Sequence, residues 1–313
     1  MLPLAMILGA GSYLIFHFTP SLYPIGPTCH VIVAKGQPIL ISIMLFLQFV
    51  KTSPKDMTLK GWHLWLLIFQ AVTFTLCAVA ASTVEDGALR LLLECAMLCL
   101  VCPTAAAAGV ITEKLGGSLQ QTITYVVLIN ALACILIPGV VPLVHPSAGA
   151  GTFWADVGKI ALRVFPMLLL PCFAAWLIRY LFPKLHNLLL RYAHWSFYIW
   201  GIGLTFALIL STRALVISKL SLGLLGGIVA VTLLCCGVQF FLGRRFAAKY
   251  GRSITVTSGQ ALGQKNTGFL IWLGYNFMTP VTSIAGGLYA IFQNLFNSWE
   301  LYEKRKEDHL ESN

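Results

Sequence analysis

The chain has 313 residues, of which 58% are apolar and 10% are charged, and its formal net charge is +10. Soluble domains carry about 25% charged residues, so this composition excludes an ordinary water-soluble enzyme. A strongly basic soluble protein would indicate a nucleic-acid partner. Here the basic residues lie mainly between apolar runs, so no nucleic-acid partner is expected.

Apolar runs, read in chain order, predict ten membrane spans in an all-α polytopic membrane protein. A span needs roughly 20 apolar residues, and prolines, glycines and charged residues separate the runs. The predicted spans are residues 3–19, 32–50, 61–82, 88–111, 119–144, 156–182, 190–211, 218–243, 254–277 and 280–302. Residues 1–303 therefore form one transmembrane unit, and residues 304–313 form a polar tail that is expected to be solvated.

The distribution of lysine and arginine predicts the orientation of the chain. The loops after spans 2, 4, 6 and 8, together with the tail, hold 14 of these residues, and the loops on the opposite side hold 5. Positively charged loops remain on the cytoplasmic side of a membrane. We therefore expect a multi-pass protein of the plasma (inner) membrane with both termini in the cytoplasm.

Spans 4 and 9 differ from the others because each is interrupted near its middle. Span 4 contains Pro103, with four alanines and Gly109 after it, and the centre of span 9, residues 258–267, is polar. If spans 1–5 and 6–10 are two halves, these spans are the fourth element of each half. Interruptions at matching positions indicate an inverted-repeat transporter, whose broken helices offer backbone groups and half-helix dipoles to ions and anions.

Lys265 lies near the middle of span 9, where an ammonium group costs about 2.5–3.5 kcal/mol on insertion scales. Its side chain is too short to reach the membrane surface from that depth. The amine must therefore face a cavity, pair with a carboxylate or lose its proton. We predict a role at the transport site; a lysine held only by carbonyl groups at the helix break is the structural alternative.

Glu94 in span 4 and Arg163 in span 6 are the other ionisable residues clearly within spans. At a rise of about 1.5 Å per residue, each lies about 10 Å from the external end of its span. Because they share this depth, they are predicted to form an ion pair, with either a structural or a gating role.

Three segments resemble the bile acid:sodium symporter family, within the wider bile/arsenite/riboflavin transporter superfamily. They are CPTAAAAGVITEKLGG at 102–117, GQALGQKNTGFL at 259–270 and FMTPVTSIAGGLYAIFQN at 277–294. The resemblance implies two inverted five-helix repeats in which broken helices 4 and 9 cross beside two sodium sites. It also implies a panel of spans at about 3–50 and 156–211, a core at about 61–144 and 218–302, and sodium-coupled uptake of organic anions.

The residues at the family's sodium positions depart from the family pattern. Ala108 and Gly109 stand where the resemblance implies a serine and an asparagine, Thr122 keeps a hydroxyl, and Lys265 stands where it implies a glutamine. We hypothesise that the Lys265 ammonium replaces a bound sodium ion, because two positive charges a few ångströms apart repel strongly in a low dielectric. Transport is then sodium-independent, or proton-linked if the amine releases its proton, and no cofactor is expected.

The candidate substrate- and ion-binding residues lie on the interrupted spans and on neighbouring spans of the core. They are Lys265, Gln264, Asn266, Gln260, Thr267, Thr104, Ala108, Gly109, Thr122, Gln70 and Asn294. A cation beside the N-termini of half-helices favours an anion. The predicted function is thus secondary-active transport of a small or amphipathic organic anion, with membrane lipids as the only other partner.

Two alternatives remain open at this point. The arsenite efflux permeases of the same superfamily carry a cysteine in span 4, and here Cys95, Cys99 and Cys102 share one helical face that could bind a soft ion; the same residues could simply pack. A membrane sensor that binds without moving solute is the second alternative. An enzyme is not expected, because the acidic pair Glu85 and Asp86 lacks a partner motif.

Overall fold

The computed structural model describes residues 2–146 and 152–311 and is α-helical almost throughout. Its α-helices are α1 Leu2–Phe18, α2 Gly26–Val50, α3 Gly61–Thr83, α4 Gly87–Val101, α5 Ala108–Lys114, α6 Leu119–Val144, α7 Phe153–Leu168, α8 Leu170–Leu181, α9 Pro183–Tyr192, α10 Ser196–Ser218, α11 Leu222–Ala247, α12 Arg252–Gly263, α13 Thr267–Phe277 and α14 Ser283–Glu311. The last two residues of the predicted tail lie outside the described residues.

Six helical segments in the described part of the chain are long and apolar enough to cross a membrane. They are Pro20–Val50, Gly61–Thr83, Leu119–Val144, Phe153–Leu181, Tyr198–Ser218 and Leu222–Tyr250. The protein is therefore a membrane-embedded, multi-pass protein, as its composition predicts. The first predicted span is a shorter apolar helix, and predicted spans 4 and 9 are each divided into two helices.

Several predicted boundaries change in the structure, and α2, for example, begins at Gly26, six residues before predicted span 2. Predicted span 6 is divided into α7 and α8, because Pro171 has no N–H group to continue the helical ladder. Predicted span 7 begins and ends later, as α10, and a short helix, α9, precedes it. Residues 304–311 continue α14 instead of forming a separate tail.

The described residues place the basic loops at one end of the bundle. Arg252 pairs with Glu307 and Arg244 pairs with Glu300, which joins the ends of α11 and α12 to α14. The side chain of Lys304 lies beside Gly116, in the turn after α5. The predicted loops after spans 4 and 8 therefore lie at the same end as the C-terminal part of the chain.

The centre of the bundle holds the divided helices. α12 packs along α11, α4 packs along α3, and α13 packs against α14. The side chains that surround them are large and fully buried, among them Phe74, Tyr125 and Tyr289. The two helix breaks are consequently enclosed by protein, which is the condition under which irregular backbone is tolerated at membrane depth.

Candidate functional site

The first helix break is caused by proline. Cys102 ends α4 in an extended conformation, with φ −53° and ψ 130°. The residue before a proline avoids the helical region, because the proline ring clashes with its backbone, and Pro103 follows directly. The helix resumes as α5 at Ala108. The six residues between α4 and α5, 102–107, are therefore non-helical, and the first four of them, which include Thr104, are buried.

The second break depends on glycine and asparagine. α12 ends at Gly263, where a Cβ atom would lie 2.4 Å from the ring of Phe240, so only glycine fits without a shift. Gln264 is extended, and the Asn266 side chain caps α13 by accepting a hydrogen bond from the Phe269 N–H at 3.2 Å. Asparagine is among the residues most favoured at this position.

The two breaks meet as a small antiparallel bridge between Thr104 and Lys265. The Ala105 N–H donates to the Gln264 carbonyl at 3.0 Å, and the Asn266 N–H donates to the Pro103 carbonyl at 2.8 Å. The backbone groups that the breaks remove from the helices thus satisfy one another. We call the residues 102–108 and 263–267 the crossing.

Lys265 lies at the centre of the crossing and its side chain is fully buried. Its backbone N–H donates to Gln293 Oε1 at 2.8 Å. Its Nζ atom has no hydrogen-bond partner within the described residues. Four cysteine thiols lie close enough to interact electrostatically with this amine, those of Cys99, Cys102, Cys235 and Cys236. A buried amine that makes no hydrogen bond is unfavourable.

Most of the carbonyl oxygens around Lys265 already accept hydrogen bonds from the protein. The Thr104 hydroxyl donates to the Ala261 carbonyl at 2.5 Å, and the Tyr289 hydroxyl donates to the Gly263 carbonyl at 2.8 Å. The Cys102 thiol donates to the Asn266 carbonyl at 3.1 Å. Each of these bonds occupies one of the two lone pairs of its carbonyl oxygen, which leaves less capacity to coordinate a cation.

Gln260 and Gln264 form a polar chain that leads away from the crossing. The Gln264 amide donates to the Gln260 side-chain oxygen, and the Gln260 amide donates to Glu300 Oε2 at 2.5 Å. Glu300 is buried and forms an ion pair with Arg244. The sequence analysis missed Glu300 and Arg244, although an acidic residue inside predicted span 10 could have indicated them.

Gln70 supports the end of α4. Its amide donates to the Leu100 carbonyl at 2.6 Å, and its side-chain oxygen accepts from the Tyr125 hydroxyl at 2.5 Å. Both the amide and the oxygen of this side chain therefore bond to protein groups, and they connect α3 to α4 and to α6. Gln70 lies near the crossing, as predicted, but it acts there as a brace for the backbone.

Several predicted residues lie at the crossing without offering free oxygen atoms to it. Ala108 and Gly109 begin α5 and have no side-chain oxygen, and the Thr122 hydroxyl donates to the Ser118 carbonyl of its own helix at 3.0 Å. Asn294 donates to the Ala290 carbonyl at 2.7 Å, also within its own helix. The α14 side chains that reach the crossing are instead those of Gln293 and Tyr289.

The first turn of α13 carries polar groups with unused hydrogen-bonding capacity. Thr267 begins this helix and is buried. Gln37 on α2, which the sequence analysis missed, is fully buried, and its amide lies 3.4 Å from the Gly268 carbonyl. Gln37 Oε1 and Asn266 Nδ2 have no hydrogen-bond partner within the described residues. Together with the N-terminal dipole of α13, they form a polar surface that could hold a small anionic molecule.

The predicted pair of Glu94 and Arg163 is wrong. Glu94 Oε1 lies 3.2 Å from Arg90 Nε and 3.0 Å from His145 Nε2. The Arg163 guanidinium lies 5.7 Å from the centre of the Phe277 ring instead. Glu94 pairs instead with a cation one turn earlier in its own helix. The predicted equal depth also changes, because α7 begins at Phe153, three residues before predicted span 6.

A comparison with protein-family models finds one match, to the sodium bile acid symporter family, over residues 38–220. The matched segment covers more than half of the chain, from the middle of α2 to the end of α10, and it includes the first break. It ends before α11, so Lys265 and the second break lie outside it. A search of curated proteins gives no significant match.

Proposed function

This chain belongs to the sodium bile acid symporter family, and we propose that it is a secondary-active transporter of an organic anion that works without sodium. Family members are transporters, which is compatible with the expectation that the chain is not an enzyme. The observation that carries the proposal is the buried Lys265 amine at the crossing, which has no hydrogen-bond partner in the described part of the chain. No cofactor is required by this proposal.

We further propose that the chain crosses the membrane ten times in two inverted five-helix repeats. Six apolar helices, the shorter α1, the α4–α5 and α12–α13 pairs and α14 supply ten spans. The helix pairs occupy the fourth position of each half, and such a symmetric placement is typical of inverted-repeat transporters. The panel at about 3–50 and 156–211 then moves against the core at about 61–144 and 218–302.

The Lys265 ammonium takes the place of a sodium ion in this proposal. Ala108 and Gly109 lack side-chain oxygens, and the nearby carbonyl groups already accept protein hydrogen bonds. A sodium ion beside an ammonium group would also meet electrostatic repulsion that rises steeply in a low dielectric. Each of these features weakens sodium binding, and they act together.

The substrate is an organic anion because the crossing offers a cation and no free carboxylate. The one acidic group linked to it, Glu300, is neutralised by Arg244. Asn266 Nδ2 and the N-terminus of α13 supply a hydrogen-bond donor and a positive dipole for the anion, whereas Gln37 Oε1 is an acceptor that suits a hydroxyl group of the substrate. An anion bound there would lower the energy of the buried Lys265 charge, so anion binding and the lysine charge favour each other.

Replacement of sodium by choline tests the proposal. We expect cholate or a small carboxylate to raise the melting temperature of the purified protein equally in sodium chloride and in choline chloride. The same anion should enter proteoliposomes in both salts, which separates a transporter from a membrane sensor that only binds. A strict requirement for sodium in either measurement would contradict the proposal.

Lys265→Gln tests the role of the ammonium group directly. This change removes the charge and keeps a polar side chain, so we expect sodium-independent anion binding to weaken at least tenfold, which corresponds to about 1.4 kcal/mol. Lys35→Gln is the matched control, because it removes the same charge from an exposed position on α2. If both variants bind the anion as the parent protein does, the ammonium is not part of the site.

The soft-ion alternative has less support. The Cys102 thiol is used in a hydrogen bond to the Asn266 carbonyl, and Cys95 and Cys99 are packed in the largest apolar cluster. Within the described residues, no three histidine, cysteine or acidic side chains are arranged to hold a metal ion. Failure of the protein to confer metalloid resistance on expression would agree with this assignment.

A further inference from the structure

A groove of about 440 Å³ lies between α2 and the α7–α8 segment, away from the crossing. Its walls are almost entirely apolar; they include Pro38, Ile39, Ile43, Phe46 and Leu170. Ile39 is 58% exposed and Leu170 is 54% exposed in the isolated protein. Apolar side chains exposed to this extent on a membrane span face lipid, so the groove is filled by an apolar molecule in the membrane.

Arg163 is the only charged residue that lines this groove. No carboxylate in residues 2–146 or 152–311 forms an ion pair with it, and its guanidinium lies over the Phe277 ring. The Phe277 contact partly stabilises the cation, but it leaves the hydrogen-bond donors of the guanidinium unused. Charged residues within spans are normally paired or face an aqueous cavity, and an anion from outside the chain would supply the partner that Arg163 lacks among the described residues.

We propose that this groove binds one anionic phospholipid, with its phosphate on Arg163 and an acyl chain between α2 and α8. The argument rests on charge complementarity: the guanidinium is the side chain best suited to bind a phosphate through two hydrogen bonds. The apolar walls fit an acyl chain, and basic pockets between membrane helices bind lipid head groups elsewhere. The site is separate from the crossing and does not depend on the transport proposal.

Native mass spectrometry of the purified protein titrated with phosphatidylglycerol or phosphatidylcholine tests the site. We expect phosphatidylglycerol to bind at least tenfold more tightly than phosphatidylcholine. Arg163→Gln should remove this preference, because a hydrogen bond to a charged group contributes enough for about a tenfold difference. Arg179→Gln, near the far end of α8, is the matched control and should keep the preference.

A second variant tests the groove without changing its charge. Ala174 lines the same groove. Ala174→Phe should therefore fill part of the groove and weaken the binding of both phospholipids, although Arg163 is unchanged. Dodecanoate tests whether a free single-chain anion is the true ligand. Equal binding of the two phospholipids by the parent protein would overturn the proposal. The proposal would also be overturned if Arg163→Gln weakened the binding of dodecanoate and left the binding of phosphatidylglycerol unchanged.

Discussion

At the scale of single residues, the second helix break depends on how closely Phe240 approaches the backbone at Gly263. The ring occupies the space that a side chain at this position would need. The Tyr289 hydroxyl also bonds to the carbonyl of the same glycine. Gly263 is therefore fixed from two sides, by an aromatic ring of α11 and by a hydroxyl of α14, and these contacts set the place where α12 ends.

Gly263→Ala should destabilise the protein by about 1–3 kcal/mol, since an added methyl group in a packed interior forces neighbouring groups apart. Gly139→Ala is the matched control. Gly139 lies inside α6 with nothing within 4 Å of an added Cβ, and alanine there should stabilise the helix by about 0.5–1 kcal/mol. Thermal unfolding of the purified proteins measures both changes. Equal effects of the two substitutions would show that the Phe240 contact is unimportant.

The sequence predicted that Lys265 lies deep within a span, because a charge in an apolar run is a local signal. It offered Asn266 as a binding residue and did not predict that its side chain caps α13. It did not predict which glutamine or asparagine faces the crossing. Gln293 and Asn294 are neighbours, but one residue rotates a helical side chain by about 100°, so only the observed helix orientation selects Gln293. Gln37 was missed because its partner, Gly268, is distant in sequence.

At the scale of elements, the two divided spans were predictable to different degrees. The division between α4 and α5 follows from Pro103 alone, whereas that between α12 and α13 follows from a polar centre without proline. The break between α7 and α8 and the separate helix α9 were not predicted. Hydropathy alone does not reveal them, although Pro171 and Pro183 stand in the first turns of α8 and α9, where proline is typical. α14 is longer than predicted, since the Arg252–Glu307 ion pair ties its polar end to α12 and the Lys304–Asp308 pair supports the helix itself.

Glu94 joins three elements at the end of the bundle opposite the basic loops. It pairs with Arg90 on α4 and with His145 after α6, and it accepts a hydrogen bond from the Thr279 hydroxyl before α14. Glu94→Gln should lower the stability by about 1–2 kcal/mol, because hydrogen bonds to a charged group are lost while the half-exposed Arg90 is still hydrated. Hydrogen exchange should rise at the start of α4.

The matched control for Glu94→Gln is Glu113→Gln. Glu113 is exposed on α5, and removal of an exposed carboxylate changes stability by less than about 0.5 kcal/mol in most proteins. Thermal unfolding and hydrogen exchange of the two variants give the comparison. If hydrogen exchange at α4 is unchanged in Glu94→Gln, the contacts of Glu94 with Arg90, His145 and Thr279 do not stabilise this end of the bundle.

At the scale of the whole molecule, the charges divide between two ends. Ion pairs of Arg244 and Arg252 lie at one end, and the Glu94 cluster lies at the other. This division supports the proposed orientation, in which the protein lies in the plasma (inner) membrane and its basic end and both termini face the cytoplasm. The bundle thus presents chemically different surfaces to its two compartments.

Cys29 provides a direct test of this orientation. It is the one exposed cysteine among the nine of the chain, and it lies in the first turns of α2, at the end predicted to be external. A membrane-impermeant maleimide should label it in intact cells, and Cys29→Ser should abolish the labelling. Ser253→Cys in that background places a thiol at the exposed start of α12, which should react only after permeabilisation. The reverse pattern would invert the proposed topology.

The bridge between Thr104 and Lys265 has a mechanical consequence. Two stretches of chain separated by more than 150 positions share backbone hydrogen bonds at their points of interruption. These hydrogen bonds couple the two stretches, so we expect the four half-helices to move together along the membrane normal. A substitution that disrupts either stretch should therefore destabilise both halves of the protein, because each half supplies one strand of the bridge.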